Sequence, residues 1–189
     1  LPETTVASSF QLYQELGLRG EVNFPAFEQA LKGFSRYASG QDRLLVLIDY
    51  TKPSTEKRFY ILDLLQKKLL LSTYVAHGRG SGDNYAVAFS NRPGSYQSSL
   101  GFFRTGDTYM GKNGYSLFLD GLEKGINDKA RERAIVVHGA NYADPAVLKG
   151  QQRLGRSLGC PALPPDISKQ VIDTIKGGVL LYIYGLNKA

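Results

Sequence analysis

Hydrophobic spacing divides the chain near Leu44. Ahead of that point, residues 8–20 and 24–38 carry helical periodicity, and in the second stretch Phe24, Phe27, Ala30, Leu31 and Phe34 fall on one face. An aromatic stripe of this kind is core packing. Asn23 before Phe24-Pro25 suits an N-cap followed by proline in the first turn. Ser39-Gly40-Gln41 then breaks the pattern. The expected organisation is an N-terminal helical extension over residues 1–43 and a second unit over 44–189.

Beyond Leu44 the pattern is that of strands. Residues 44–50 form a continuous apolar run, and 58–64 and 68–76 follow, with Pro53-Ser54-Thr55 and Gln66-Lys67 as turn material. Short loops between three such runs predict an antiparallel meander. Residues 84–125, rich in Ser, Gly, Asn and Tyr, read as irregular structure with short strands. Helical turns are expected over 127–133, a strand over 134–138 and a short helix over 144–152. A further helix is expected over 164–176, with Ile167, Val171, Ile172 and Ile175 on its apolar face and Gly177-Gly178 as its stop. A last strand covers 179–184. The expected fold is mainly β with flanking helices.

Composition narrows the class. At 189 residues, 42% apolar and 21% charged, the chain can bury one real core. The net charge of +6 and pI of about 9.3 suit an anionic partner. No basic run exceeds Lys67-Lys68 and no nucleic-acid-binding motif is present, so no nucleic acid is expected. No stretch is long and apolar enough for an integral membrane segment. No charged-then-apolar leader is visible, and the opening Leu1-Pro2-Glu3-Thr4-Thr5 reads as a mature or truncated start. Gly78-x-Gly80-x-Gly82 lies outside any βαβ pattern and does not fit a dinucleotide loop.

Candidate chemistry centres on Cys160, the sole cysteine, in Arg156-Ser157-Leu158-Gly159-Cys160-Pro161-Ala162. A lone cysteine is most often a small buried hydrophobe. Here Gly159 and Pro161 make its setting a turn, and nearby arginines and free backbone N–H groups would stabilise a thiolate. His138, one of two histidines, ends a strand-like run in Ile135-Val136-Val137-His138-Gly139. A thiol and an imidazole are the parts of a nucleophilic site. Two histidines and one cysteine do not make a zinc site, and no metal or cofactor is expected. The rival histidine is His77, which also ends a strand-like run; it is either a structural brace or a substrate contact.

The segment His138-Gly139 through Ser157-Leu158-Gly159-Cys160 resembles the signature of the L,D-transpeptidases, the YkuD-like cysteine enzymes. Further matching stretches are Ala76-His77-Gly78-Arg79-Gly80-Ser81-Gly82, Phe89-Ser90-Asn91 through Ser98-Ser99-Leu100-Gly101, and Gly121-Leu122-Glu123 through Asn127-Asp128. They point to the branch of murein L,D-transpeptidase catalytic-domain proteins. The resemblance implies an L,D-transpeptidase-like β-sandwich or barrel preceded by the helical pair. It implies cleavage of a peptidoglycan tetrapeptide stem between its third residue and the terminal D-Ala, through a thioester on Cys160, with an amine of a second stem as acceptor. His138 would be the base, the Gly139 carbonyl would orient it, the Gly159 and Cys160 N–H groups would stabilise the oxyanion, and Ser157 would brace the loop. Leu158 stands where many members carry His, and Ala162 where many carry Arg; Arg156 or Arg153 would supply that charge. His77, Ser90, Asn91, Tyr142 and Arg79 are candidate substrate contacts. The implied setting is a monomer in the periplasm or cell envelope of a bacterium. With water as acceptor the same site is an L,D-carboxypeptidase or murein hydrolase, and without an active thiol it is a peptidoglycan-binding module. A papain-like protease is disfavoured because its Cys precedes its His.

Overall fold

The computed structural model describes residues 6–188, so Leu1–Thr5, read above as a processed start, lie outside the described residues. Its helices are α1 (Val6–Glu15), α2 (Phe24–Tyr37) and α3 (Pro165–Ile175). Its strands are β1 (Leu44–Asp49), β2 (Phe59–Asp63), β3 (Lys68–Thr73), β4 (Gly101–Gly111), β5 (Gly114–Gly121), β6 (Val136–Gly139), β7 (Ala162–Leu163) and β8 (Leu180–Tyr184). They form one sheet in the order β3-β2-β1-β8-β4-β5-β6-β7. β1–β8 and β6–β7 run parallel, and the other neighbours antiparallel. Past β3 the chain stays extended, and Ala76 bridges Ala162 of β7. That bridge brings the two ends of the sheet together into a nearly closed barrel.

The run at β1 lacks alternation because both of its faces are covered. Val46 and Ile48 point into the barrel, against Ile61, Phe103, Leu181, Ile183 and the apolar face of α3. Leu45 and Leu47 point outward, against Phe27, Ala30, Leu31 and Phe34 of α2. Fully burying Phe27 or Leu31 contributes about 1.5–3 kcal/mol each. Asn23 precedes α2 but caps nothing with its side chain. Its Nδ2 donates instead to Asp49 Oδ2 at 2.9 Å, which ties the start of α2 to the end of β1.

Three expectations are revised. α1 stops at Glu15 rather than near residue 20, because Gly17 and Gly20 take φ of 67° and 84° and turn the chain. Residues 127–133 are turns rather than helix. Residues 84–125 hold the longest hairpin of the sheet, β4–β5, which pairs from Phe103↔Gly121 to Gly111↔Gly114. Its signal was Asn113-Gly114, with Gly114 at φ 80° closing the turn. The polar composition concealed it because the outer half of β4 extends past the core, where Met110 is 77% exposed.

Gly33 lets α2 seat on the sheet: a Cβ there would lie 1.9 Å from the Phe102 ring. That ring cannot withdraw, since it stacks on Tyr182 at 4.3 Å and lies 5.2 Å from Tyr37. Gly→Ala inside a helix ordinarily gains about 1 kcal/mol. Gly33→Ala is expected instead to lose about 1–3 kcal/mol through overpacking, measured by urea unfolding. A stabilised variant would refute this account of the docking.

Candidate active site

The parallel pairing of β6 with β7 brings the two candidate groups to one place. His138 is in register with Ala162, and Cys160 lies two residues before Ala162 on the turn that enters β7. Both line a cleft of about 440 Å³, whose far wall is Tyr109, Lys112 and Asn113 of the β4–β5 hairpin. A larger depression of about 560 Å³ lies between α2 and β4, away from both residues.

Cys160 is 8% exposed. Its Sγ sits 3.4 Å from the Ala134 carbonyl, to which it donates, and accepts from the Val136 N–H at 3.4 Å. Burial pushes the thiol pKa up, and the Val136 N–H and the charge of Arg133 pull it back. Burial pushes the imidazole of His138 down, against a hydrogen bond that raises it. That bond joins Nδ1 to the Gly139 carbonyl at 2.9 Å. A carbonyl only accepts, so Nδ1 carries the hydrogen and Nε2 keeps a lone pair. No hydrogen bond joins His138 to Cys160 among the described residues. Both groups are neutral as folded, and Nε2 is the atom equipped to take a proton.

Ser157 builds the turn around the thiol. Its Oγ donates to the Cys160 carbonyl at 2.6 Å and accepts from the Gly159 N–H at 3.1 Å. The Gly159 N–H, assigned above to an oxyanion, is therefore occupied by Ser157 in this structure. Gly159 has φ 129°, and a Cβ there would lie 2.9 Å from Ile135 and 3.0 Å from the Gln97 carbonyl. Only glycine fits both the conformation and the space.

The glycine-rich stretch after β3 clamps this turn from the other side. The Ser157 N–H donates to the His77 carbonyl at 3.0 Å, and the Arg79 N–H to the Ser157 carbonyl at 2.8 Å. Gly78 is needed because a Cβ would meet the Tyr96 carbonyl at 2.4 Å and Gly159 Cα at 2.9 Å. The glycines thus serve close backbone approach. The His77 ring is held from beneath by Arg58, which is fully buried. Arg58 donates to the Val75 and Lys52 carbonyls and to His77 Nδ1 at 2.8 Å, and packs 4.8 Å over the Tyr50 ring. With Nδ1 accepting, His77 Nε2 carries the hydrogen and faces the Gly82 carbonyl at 3.2 Å. No lone pair of His77 is left to act as a base.

The family model for the L,D-transpeptidase catalytic domain matches residues 18–184. The chain belongs to the L,D-transpeptidase catalytic-domain family. No curated protein matches the sequence. Among solved structures, the helical cell shape determining protein Pgp2 from Campylobacter jejuni is 16% identical with a TM-score of 0.50, over 78% of this chain and 50% of that one. An L,D-transpeptidase from Stackebrandtia nassauensis is 14% identical with a TM-score of 0.46, over 97% and 78%. Another from Mycobacterium smegmatis is 13% identical with a TM-score of 0.46, over 76% and 59%. At such identities the likeness is one of fold. The chain spans about half the length of the Campylobacter protein.

Within this L,D-transpeptidase domain the other candidate residues separate. Arg156 lines the cleft, with Nη1 on Asp83 Oδ1 at 3.1 Å and the Gly82 carbonyl at 3.2 Å. Tyr142 also lines it, its hydroxyl pushed up to about 12 by burial. Arg153 is not on the cleft wall and donates to the Leu154 carbonyl at 2.9 Å. Asn91 lies apart, with Nδ2 on Asp128 at 2.7 Å and Oδ1 accepting from the Lys129 N–H. Ser90 and Arg79 lie outside the cleft wall as well. Sequence reasoning missed Arg133, Tyr109 and Lys112, which all face the cleft. Arg133 gave no signal because its partners, in residues 90–99, are distant in sequence. No group of three or more His, Cys, Asp and Glu able to hold a metal occurs among the described residues.

His77 yields a pH prediction. Burial and then the Arg58 charge push its folded pKa from 6.5 to about 3. The unfolded chain takes up a proton that the folded one refuses, so this contribution is whole above about pH 6.5 and is lost as the pH falls towards 3. His77→Gln, which keeps an acceptor for Arg58, is expected to flatten the acid side of the stability curve in urea titrations. An unchanged acid slope would contradict the buried neutral ring.

Proposed function

We propose that this chain is a peptidoglycan-modifying cysteine acyltransferase, an L,D-transpeptidase acting on tetrapeptide stems. The observation that carries the reading is the shared cleft of Cys160 and His138, with His138 Nδ1 on the Gly139 carbonyl. Residues 44–189 form the catalytic domain, and the helical pair of residues 1–43 covers the outer face of its sheet. The bacterial cell envelope is the setting such a substrate requires. Among the described residues no helix is long and apolar enough to cross a membrane.

In the proposed cycle, His138 Nε2 takes the thiol proton as Cys160 Sγ attacks the carbonyl carbon of the third stem residue. The Cys160 N–H is the donor left for the developing oxyanion, because Ser157 holds that of Gly159. A preorganised donor of this kind is worth about 3–4 kcal/mol in other enzymes. Collapse breaks the C–N bond to D-Ala, whose nitrogen receives the proton from His138. The thioester then accepts an amine of a second stem. His138 takes the amine proton and returns it to the departing sulfur.

Cys160→Ala is expected to abolish stem cleavage while leaving thermal unfolding within a few degrees of the parent. Cleavage by a folded variant would refute the nucleophile. Mass analysis of products with an added amine acceptor identifies the second substrate: a cross-linked product supports transfer, and a tripeptide alone assigns water and a carboxypeptidase. Arg156→Ala is expected to raise KM for stems several-fold with kcat little changed, since a guanidinium on the cleft wall suits a stem carboxylate. An unchanged KM would remove Arg156 from substrate binding.

A further inference from the structure

Arg133 precedes β6 and faces the Cys160 cleft. All four of its terminal N–H groups are committed. Nη1 donates to the Ser90 carbonyl at 2.9 Å and Ser99 Oγ at 2.7 Å, and Nη2 to Ser95 Oγ at 3.2 Å and the Gln97 carbonyl at 2.7 Å. Every acceptor is neutral, and the arginine ion pairs among the described residues belong to Arg43, Arg104, Arg131 and Arg156. With both prongs occupied, the guanidinium has no free fork for a substrate carboxylate. What it retains is a fixed positive charge. That charge borders the nucleophile's turn: a Cβ on Gly159 would lie 3.4 Å from Nη2.

The other groups around the thiol do not supply such a charge. Tyr50, at the end of β1, and Tyr142, past β6, are both pushed up to about 12 by burial and stay neutral. His138 on β6 is held neutral by burial until it takes a proton. Arg156, on the Cys160 turn, pairs with Asp83. Tyr109 and the exposed Lys112 lie on the hairpin across the cleft.

We propose that Arg133 is the positioning residue of the nucleophile: its charge, locked by the 90–99 segment, sets the fraction of Cys160 present as thiolate. This rests on the reading of Cys160 as nucleophile. The segment from Ser90 to Ser99 then acts as the mount of a charge. Its hydroxyls and carbonyls fix the guanidinium without neutralising it, as a carboxylate would.

The test is the rate of iodoacetamide alkylation against pH for the parent, Arg133→Gln and Arg133→Lys. Cys160 is the sole cysteine, so the adduct is unambiguous. Arg133→Gln is expected to move the midpoint up by about one unit and cut the rate at pH 7 about tenfold, with the high-pH plateau kept. Arg133→Lys keeps the charge and loses the fork, and its midpoint is expected to stay within about 0.3 unit of the parent. A Gln variant with the parent midpoint overturns the proposal, and so does a Lys variant shifted as far as the Gln variant. If the Gln variant does not fold, the Lys variant decides: an unmoved midpoint supports the charge, a moved one overturns it. Alkylation needs no substrate, so failure to turn over stem peptides would defeat the acyl-transfer reading and leave this result standing.

Discussion

Backbone pairing between residues 76–79 and 157–162 is the constraint on which the site depends. Ala76 exchanges hydrogen bonds with Ala162, and Ser157 is held between His77 and Arg79. One short ladder closes the barrel and also fixes the turn that carries Cys160. Arg58 supports it from beneath by holding the His77 ring and the Val75 carbonyl. A fully buried arginine is costly unless its donors are satisfied, and here carbonyls and an imidazole satisfy them. The histidine that resembled a second catalytic group is part of this frame.

The chemistry follows from burial. A thiol and an imidazole that are themselves buried both favour their uncharged forms. Under the proposed reading, such a site keeps its cysteine protonated until His138 and Arg133 act together. The Gly139 carbonyl selects the tautomer of His138, and the turn held by Ser157 aims the sulfur. One device is a backbone carbonyl and the other a hydroxyl, and the glycines beside both groups make room for close packing against Ser168 and Ile135.

Much of this was legible in the sequence, and the exceptions have physical causes. The apolar face of α2, the unalternating run of β1 and the strand–turn settings of His138 and Cys160 are local patterns, and local patterns survive in one dimension. The β4–β5 hairpin was hidden because its outer half leaves the core and loses its apolar signature. Asn23 looked like a cap and is a tether, because Asp49 offers its side chain a tertiary partner. Arg133 was unreadable, since its position is set by residues 34–43 positions away. Arg156 was preferred to Arg153 as the charge near Cys160, and the path of the turn puts Arg156 alone of the two on the cleft wall.

The place of β8 has a consequence for how such a chain comes to be active. β8 lies between β1 and β4 and joins the β1–β2–β3 meander to the half that carries His138, on the side of the barrel away from the Ala76–Ala162 bridge. Until β8 pairs, the two halves lack their central splint, and the ladder between residues 76–79 and 157–162 must form without it. Domains whose pairings join distant parts of the chain assemble late and slowly. A chain in which β8 has not paired therefore carries Cys160 on a turn that the closed sheet does not yet support. The order of the sheet thus makes the setting of Cys160 and His138 depend on a pairing made by residues 180–184, far from either of them in the fold's register.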